Sequence, residues 1–306
     1  MAKRIFITGG TGFIGSKLID QWIDQGHVVT VLTRQPVKAR ARWSKPVTAI
    51  SDLNAATERY DWLINLAGEG IAEKRWTASR KTALRNSRIN LTERLVRWAE
   101  STGQKFEKVL TGSAVGVYGS FAEGPTPALT EDAACGDDFS AHLCTDWETA
   151  AKGLARFTKQ LTYLRTGIVL GPNGGMLQRL WLPFKLGLGG RIGDGTQVLS
   201  WIHLDDYCRA VDLLLADKGA GSEHGVFNMV APQAVTNREF TETLAKTIKR
   251  PALFPMPTLV AKTLFGEMGD LLLKGQRVAP AQLVQHGFSF QYPDLDVALT
   301  AINSKW

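Results

Sequence analysis

Three glycines at a fixed spacing are the first residues that point to chemistry. Gly9, Gly12 and Gly15 lie in the run Thr8-Gly9-Gly10-Thr11-Gly12-Phe13-Ile14-Gly15. An apolar run precedes them and an amphipathic one follows. Such a loop cradles a pyrophosphate: the first glycine permits a tight turn, the second lets the backbone approach the ligand, and the third lets helix and strand pack closely. The helix N-terminus then offers free N–H groups and its positive dipole end. The plainer alternative is an ordinary glycine-rich turn.

A second pattern selects among dinucleotides. From Thr33 through Ser51 there is no Asp or Glu, but Arg34, Lys38, Arg40, Arg42 and Lys45 are all basic. An acid at the end of the second strand would bond the ribose hydroxyls of NAD and repel a 2′-phosphate. A guanidinium binds such a phosphate through two parallel hydrogen bonds. Arg34 is read as the clamp and NADP(H) as the cofactor. A solvated basic loop is the alternative, and it describes Lys45 and some of the other bases.

These residues need strands and helices to hold them. Lys3–Thr8 and Val28–Thr33 read as buried strands, and residues 13–25 carry a helical apolar stripe ending at Gly26. Further strands are expected at 47–50, 62–66, 108–112 and 161–169, with helices at about 79–100, 138–159 and 205–216. Alternating strands and helices imply an α/β fold, a Rossmann-type doubly wound parallel sheet with a smaller, mainly helical C-terminal lobe. The glycine-rich stretch 171–200 reads as more loop than core, and no new strong strand is expected beyond about 232. The expected division places the NADP-binding domain in 1–174 and 199–231, and the substrate-binding lobe in 175–198 and 232–306.

Composition excludes other classes. The chain has 306 residues, 44% hydrophobic and 21% charged, which is too apolar for disorder and ample for a core. Three cysteines cannot form a disulfide framework, and no His/Cys/Asp cluster has metal spacing. No apolar run is long enough for a membrane span or signal peptide, so a cytoplasmic protein without a membrane partner is expected. The net charge of +7 is spread along the chain, which argues against a nucleic-acid partner.

The glycine motif resembles that of the extended short-chain dehydrogenase/reductase superfamily, in its nucleotide-sugar epimerase-like branch. Asp52-Leu53 resembles the adenine-contacting pair, Asn65-Leu66-Ala67-Gly68 the motif lying along the cofactor, and Ser113 through Val117-Tyr118-Gly119 the strand end beside the nicotinamide. Arg165-Thr166-Gly167 with Gly171-Pro172, and Trp201-Ile202-His203 with Asp205-Asp206, resemble later landmarks. The closest resemblance is to the atypical "epimerase family" subgroup, on the pairs Arg75-Trp76 and Ser87-Arg88 and on Gly275-Gln276-Arg277-Val278 followed by Gly287-Phe288. That last segment resembles a domain of unknown function. The resemblance implies cofactor contacts by Thr8, Gly9, Gly12, Phe13, Ile14, Gly15, Arg34, Asp52, Leu53, Asn65, Leu66, Ala67, Gly68, Ser113 and Arg165. Many members of the superfamily pair through helices equivalent to 79–100 and 138–159, which leaves a homodimer open here.

The pattern breaks at the reaction centre. The superfamily uses a Tyr-x-x-x-Lys pair, in which the lysine lowers the tyrosine pKa for proton exchange during hydride transfer. None of Tyr60, Tyr118, Tyr163, Tyr207 and Tyr292 has lysine four residues on. Aligned by Trp147-Glu148, Ser140 and Cys144 stand where the pair belongs. The arginine that often follows Gly-Asp-Gly-x-Gln in nucleotide-sugar epimerases is also missing after Gly193–Gln197, although Arg191 or Arg75 stands in reach of that role.

Ser113 and Tyr118 are therefore the candidate catalytic residues, a hydroxyl pair able to polarise a carbonyl. Alternatively Tyr118 packs and Ser113 only bonds the carboxamide. Cys144 reads as a buried small residue rather than a thiolate, and His142 as a surface residue. His203 reads as a structural hydrogen-bonder with Asp205 or Asp206 capping the next helix. Trp76 and Trp201 are either packing residues or the lining of an apolar pocket. Two functions remain: an NADP(H)-dependent oxidoreductase or epimerase-like enzyme acting on a small carbonyl or sugar-like substrate, or a non-catalytic NADP(H)-binding redox sensor or scaffold.

Overall fold

β1 (Arg4–Thr8) buries Ile5, Phe6, Ile7 and Thr8 in succession because helices cover both faces of the sheet it joins. The structure, a computed structural model, describes residues 2–43, 47–121, 128–216 and 224–306; Lys45 lies outside them. Along the chain follow α1 (Phe13–Asp24), β2 (Val28–Leu32), α2 (Pro36–Arg42), β3 (Thr48–Ile50), β4 (Trp62–Asn65), α3 (Ala78–Asn86), α4 (Ile89–Ser101), β5 (Phe106–Ala114), α5 (Phe139–Ala151) and β6 (Thr158–Thr166). Then come β7 (Ile168–Leu170), α6 (Gly175–Lys185), β8 (Val198–Leu199), β9 (Trp201–His203), α7 (Leu204–Ala216), β10 (His224–Met229), β11 (Val235–Thr236) and α8 (Asn237–Thr247). Four helices end the chain: α9 (Thr258–Phe265), α10 (Asp270–Leu273), α11 (Ala281–Gln285) and α12 (Leu295–Asn303).

The main sheet has the order β10-β6-β5-β4-β1-β2-β3, and every pair in it is parallel. The winding reverses between β1 and β4, so the crevice outside the C-terminal ends of these two strands is where this topology binds ligands. On one face α1 and α7 contribute Leu18, Trp22, Tyr207 and Val211 to the core; on the other, α4 contributes Leu95 and Trp98. A separate core, built on Trp181, Phe184, Phe240, Leu244 and Leu299, joins α6, α8 and α12.

The observed elements depart from the sequence expectation in several places. The helix expected at 79–100 is two helices, broken at Ser87-Arg88, whose side chains turn into the loop that follows β4. The helix expected at 138–159 ends at Ala151, and a tighter turn, Lys152–Phe157, leads into β6. The glycine-rich stretch contains α6, an 11-residue helix. Apart from Gly175, its first residue, the glycines flank it, whereas Leu177, Trp181 and Phe184 form a buried stripe at i, i+4 and i+7. α2 and β10 were not expected. Among the described residues beyond 232 the two-residue β11 is the only strand, and no strong strand was expected there. Among the described residues no helix is long and apolar enough to cross a membrane.

Candidate functional site

The glycine loop joins β1 to α1. Gly9 takes φ +73, a left-handed conformation that glycine reaches at little cost, and a Cβ there would lie 2.7 Å from the Leu66 carbonyl. A Cβ at Gly15 would lie 2.4 Å from the Gly9 carbonyl oxygen, so the helix rests directly on the loop. At Gly12 a Cβ would meet a single atom within 4 Å, the Gly9 oxygen at 3.2 Å. Gly12 precedes α1 with extended backbone, and no side chain caps the helix. The first-turn N–H groups of Phe13, Ile14 and Gly15 therefore lack helical partners. A closed inner side, an open outer side and an uncapped helix start fit a pyrophosphate.

The Phe13 ring gives part of the glycine-rich stretch its reason. A Cβ at Gly174 would fall 2.1 Å from that ring and one at Gly171 3.0 Å from it. These glycines thus admit a phosphate-loop side chain. Ile14 packs, with Leu66, against the core under the sheet.

At the end of β2, Arg34 is exposed, and among the described residues its side chain has no hydrogen bond or ion pair. Its neighbours are engaged: Arg40 donates to the Ala49 carbonyl, and Arg42 donates to the Thr11 carbonyl of the glycine loop at 3.3 Å. Asp52 accepts the Asn54 N–H at 3.0 Å and caps a short turn, leaving it exposed beside buried Leu53.

β4 ends at Asn65, which is fully buried. Its amide accepts from Thr8 Oγ1 at 2.7 Å and donates to Thr92 Oγ1 at 2.9 Å and Thr111 Oγ1 at 3.4 Å. Asn65 therefore ties β1, β4, α4 and β5 together, while Ala67 N–H donates to Thr8 Oγ1. Three arginines grip the loop beyond. Arg88 stacks under Gly68, where a Cβ would lie 2.9 Å from its guanidinium, and donates to the Glu69 carbonyl. Arg80 pairs with the Glu69 carboxylate and donates to the Gly70 carbonyl, and Arg179 donates to the Ala72 carbonyl. Trp76 donates to the Ile71 carbonyl and packs edge-on to Phe139. Arg75 and Arg191 are exposed, Arg75 against Gly266.

A buried polar cluster lies at the ends of β5, β6 and β10. Ser113 Oγ donates to Glu148 Oε1 at 2.6 Å, and Arg165 holds the same carboxylate through Nε at 2.9 Å and Nη2 at 3.1 Å. Arg165 Nη1 also donates to the Tyr118 hydroxyl at 3.0 Å and the Glu131 carbonyl at 3.1 Å. Tyr118 donates in turn to Asn228 Oδ1 at 2.7 Å. Burial holds its phenol above the ordinary range, against the opposing pull of Arg165. The C-terminal segment closes over the cluster: Ala279 O accepts from Asn228 Nδ2, Gln282 N–H donates to Glu131 Oε1, and Gln276 Nε2 donates to the Val115 carbonyl.

Ser140 and Cys144 share a face of α5, and that face packs on Gly116, where a Cβ would lie 3.3 Å from Ser140 Cβ and 3.8 Å from Cys144 Sγ. Both are buried, and burial pushes the Cys144 thiol up to about 12. His142 is at the surface beside Asp137. At the start of α7 His203 is a structural hydrogen-bonder, as expected, but the cap expected of Asp205 or Asp206 is supplied by His203 itself. His203 Nδ1 accepts the Asp205 N–H at 3.0 Å, so the histidine caps the helix, while buried Asp206 accepts the backbone N–H groups of Gln291 and Tyr292. Trp201 is buried in the second core. Among the described residues no group of three His, Cys, Asp or Glu could hold a metal.

Glu148, Glu131 and Asn228 escaped the sequence reading. They come from distant stretches with no common spacing, and Glu148 served there only as an alignment landmark.

A family model described as NAD dependent epimerase/dehydratase family matches residues 5–229, and one described as a domain of unknown function, DUF1731, matches residues 256–302. The human epimerase family protein SDR39U1 is 36% identical over 307 residues, covering 98% of this chain and 99% of the human one. The epimerase family protein YfhF of Bacillus subtilis is 36% identical over 306 residues, covering 98% and 97%. The crystal structure of human SDR39U1 isoform 2 with NADPH aligns with a TM-score of 0.86 at 32% identity, covering 99% of this chain and all of that one.

Proposed function

This chain belongs to the NAD dependent epimerase/dehydratase family, and from that premise we propose that it holds NADP(H) and acts as an oxidoreductase or epimerase-like enzyme on a small carbonyl or sugar-like compound. The observation that carries the cofactor choice is Arg34, exposed at the end of β2 in a stretch without a single acid. The similar human protein was crystallised with NADPH. Gly9, Gly12, Gly15 and the start of α1 would hold the pyrophosphate, and Arg34 the 2′-phosphate. When bound, the cofactor supplies the hydride chemistry.

The chain's own residues handle the proton. Ser113 gives its hydrogen to Glu148, so its oxygen meets a substrate as an acceptor, and a hydroxyl proton arriving there has a carboxylate behind it. Arg165 fixes that carboxylate in one orientation. Tyr118 is the second hydroxyl, held by Asn228 and Arg165.

A second reading rests on the same bonds. Both hydroxyls are already satisfied inside the protein, which favours an NADP(H)-binding redox sensor or scaffold without turnover. A single-turnover experiment separates the two. Protein loaded with one equivalent of NADPH is mixed with fractions of a cell metabolite extract, and nicotinamide absorbance is followed. Oxidation requiring both protein and one fraction supports the enzyme; full occupancy with no oxidation in any fraction supports the sensor.

A further inference from the structure

Exposed apolar side chains are unevenly placed on this protein. Among the described residues, eight of the fourteen large ones fall in two segments: Leu182, Leu186 and Leu188, and then Leu253, Phe254, Leu259, Val260 and Leu264. The segments are neighbours in space. Leu188 bridges Ala252, Ile192 bridges Met256, Phe254 N–H donates to the Gly189 carbonyl, and Arg250 Nε donates to the Lys185 carbonyl. Together they form one end of the second lobe, with Leu253 and Phe254 at a proline-flanked tip, 73% and 60% exposed. By contrast, none of the large exposed apolar residues lies on α3, α4 or α5, the helices through which a homodimer was expected to pair.

Charge within these two segments is one-sided, with the acids Asp194, Glu242 and Glu267 standing just outside them. Residues 174–193 and 243–266 contain no Asp or Glu, yet they carry Arg179, Lys185, Arg191, Lys246, Lys249, Arg250 and Lys262. Lys249 sits at φ +54, just past the end of α8, and its side chain belongs to this basic set. Apolar side chains projecting from a basic rim match the two halves of an anionic bilayer surface: acyl boundary for the leucines and phenylalanine, headgroup phosphates for the lysines and arginines. We propose that this end of the second lobe docks on anionic lipid bilayers, with Leu253 and Phe254 entering the headgroup–acyl boundary. This departs from the expectation of no membrane partner, which concerned spanning segments and not surface contact.

Flotation with vesicles tests the proposal, using the full chain with either phosphatidylcholine alone or phosphatidylcholine containing about a third phosphatidylglycerol. The wild type should float with the anionic vesicles and not with the neutral ones. Leu253→Ser/Phe254→Ser should lose about tenfold in bound fraction at limiting lipid. Lys185→Glu/Arg191→Glu should lose binding as well, and both variants should keep the wild-type far-UV spectrum. Wild-type protein that stays with the soluble fraction overturns the proposal. So does undiminished flotation of the Leu253/Phe254 variant, which would mean adsorption by net charge alone. A wild-type dimer that becomes monomeric in that variant also overturns it, because a second copy would then cover the tip.

Discussion

The hydroxyl of Ser113 donates to Glu148 at 2.6 Å, across from β5 to α5. Glu148 stands one helical turn beyond Cys144, the position where the superfamily's lysine was expected, and it carries the opposite charge. The lysine position itself holds a neutral thiol, and the charge one turn beyond it is a carboxylate paired with Arg165.

Because Arg165 is buried and Glu148 is largely shielded beside it, removing the carboxylate leaves the guanidinium without its counter-charge. Glu148→Ala should cost about 3–5 kcal/mol of stability. Ser113→Ala, which removes one hydrogen bond, should cost only about 1 kcal/mol. Urea unfolding midpoints of the two variants measure the difference. Equal costs would mean that Arg165 finds another partner.

The three thiols differ in access. Cys135 is exposed, while Cys144 and Cys208 are buried, and burial pushes both thiols up, Cys144 to about 12. In native protein at pH 8, iodoacetamide should label Cys135 alone, and peptide mapping after brief exposure should find the other two unmodified.

His203 makes stability depend on pH. Burial lowers its pKa to about 4, outweighing the carboxylates of Asp205 and Asp206, whereas in the unfolded chain it titrates near 6.5. Between these values the unfolded chain holds the extra proton. The contribution is thus complete above about pH 6.5 and is lost as pH falls toward 4, up to about 3 kcal/mol. His203→Asn keeps a cap acceptor but removes this titration. Its midpoint should fall less than the wild type's between pH 7 and pH 5, and parallel curves would exclude His203 as the source.

Gly174 receives the Phe13 ring so closely that one methyl group displaces it. Gly174→Ala should weaken NADPH binding about tenfold by shifting the glycine loop, although the residue lies far along the chain from that loop. Isothermal titration checks this, and unchanged affinity would show that the ring moves independently of the loop.

What was legible in the sequence was carried by residues that act alone. Gly9 and Gly15 announce backbone geometry that other residues cannot adopt or fit, and the missing acids around Arg34 announce a charge preference. Illegible were features made by convergence. Glu131, Glu148, Arg165 and Asn228 meet only because β5, β6 and β10 lie side by side, and nothing in their spacing shows it. The glycines around α6 read as loop because their partner, Phe13, comes from the first turn of α1. At the start of α7 the hydrogen-bonding role of His203 was legible, but not that it caps the helix itself and leaves Asp206 to anchor the backbone of 291–292.

The most direct test of the cofactor site compares NADPH and NADH binding by the wild type and Arg34→Asp, using nicotinamide fluorescence at fixed salt. The wild type should prefer NADPH. The variant should lose about 10–100-fold for NADPH, or about 1.4–2.8 kcal/mol, while NADH binding changes by less than about threefold. Equal losses for both cofactors, or a wild type without preference, would contradict a 2′-phosphate held by Arg34.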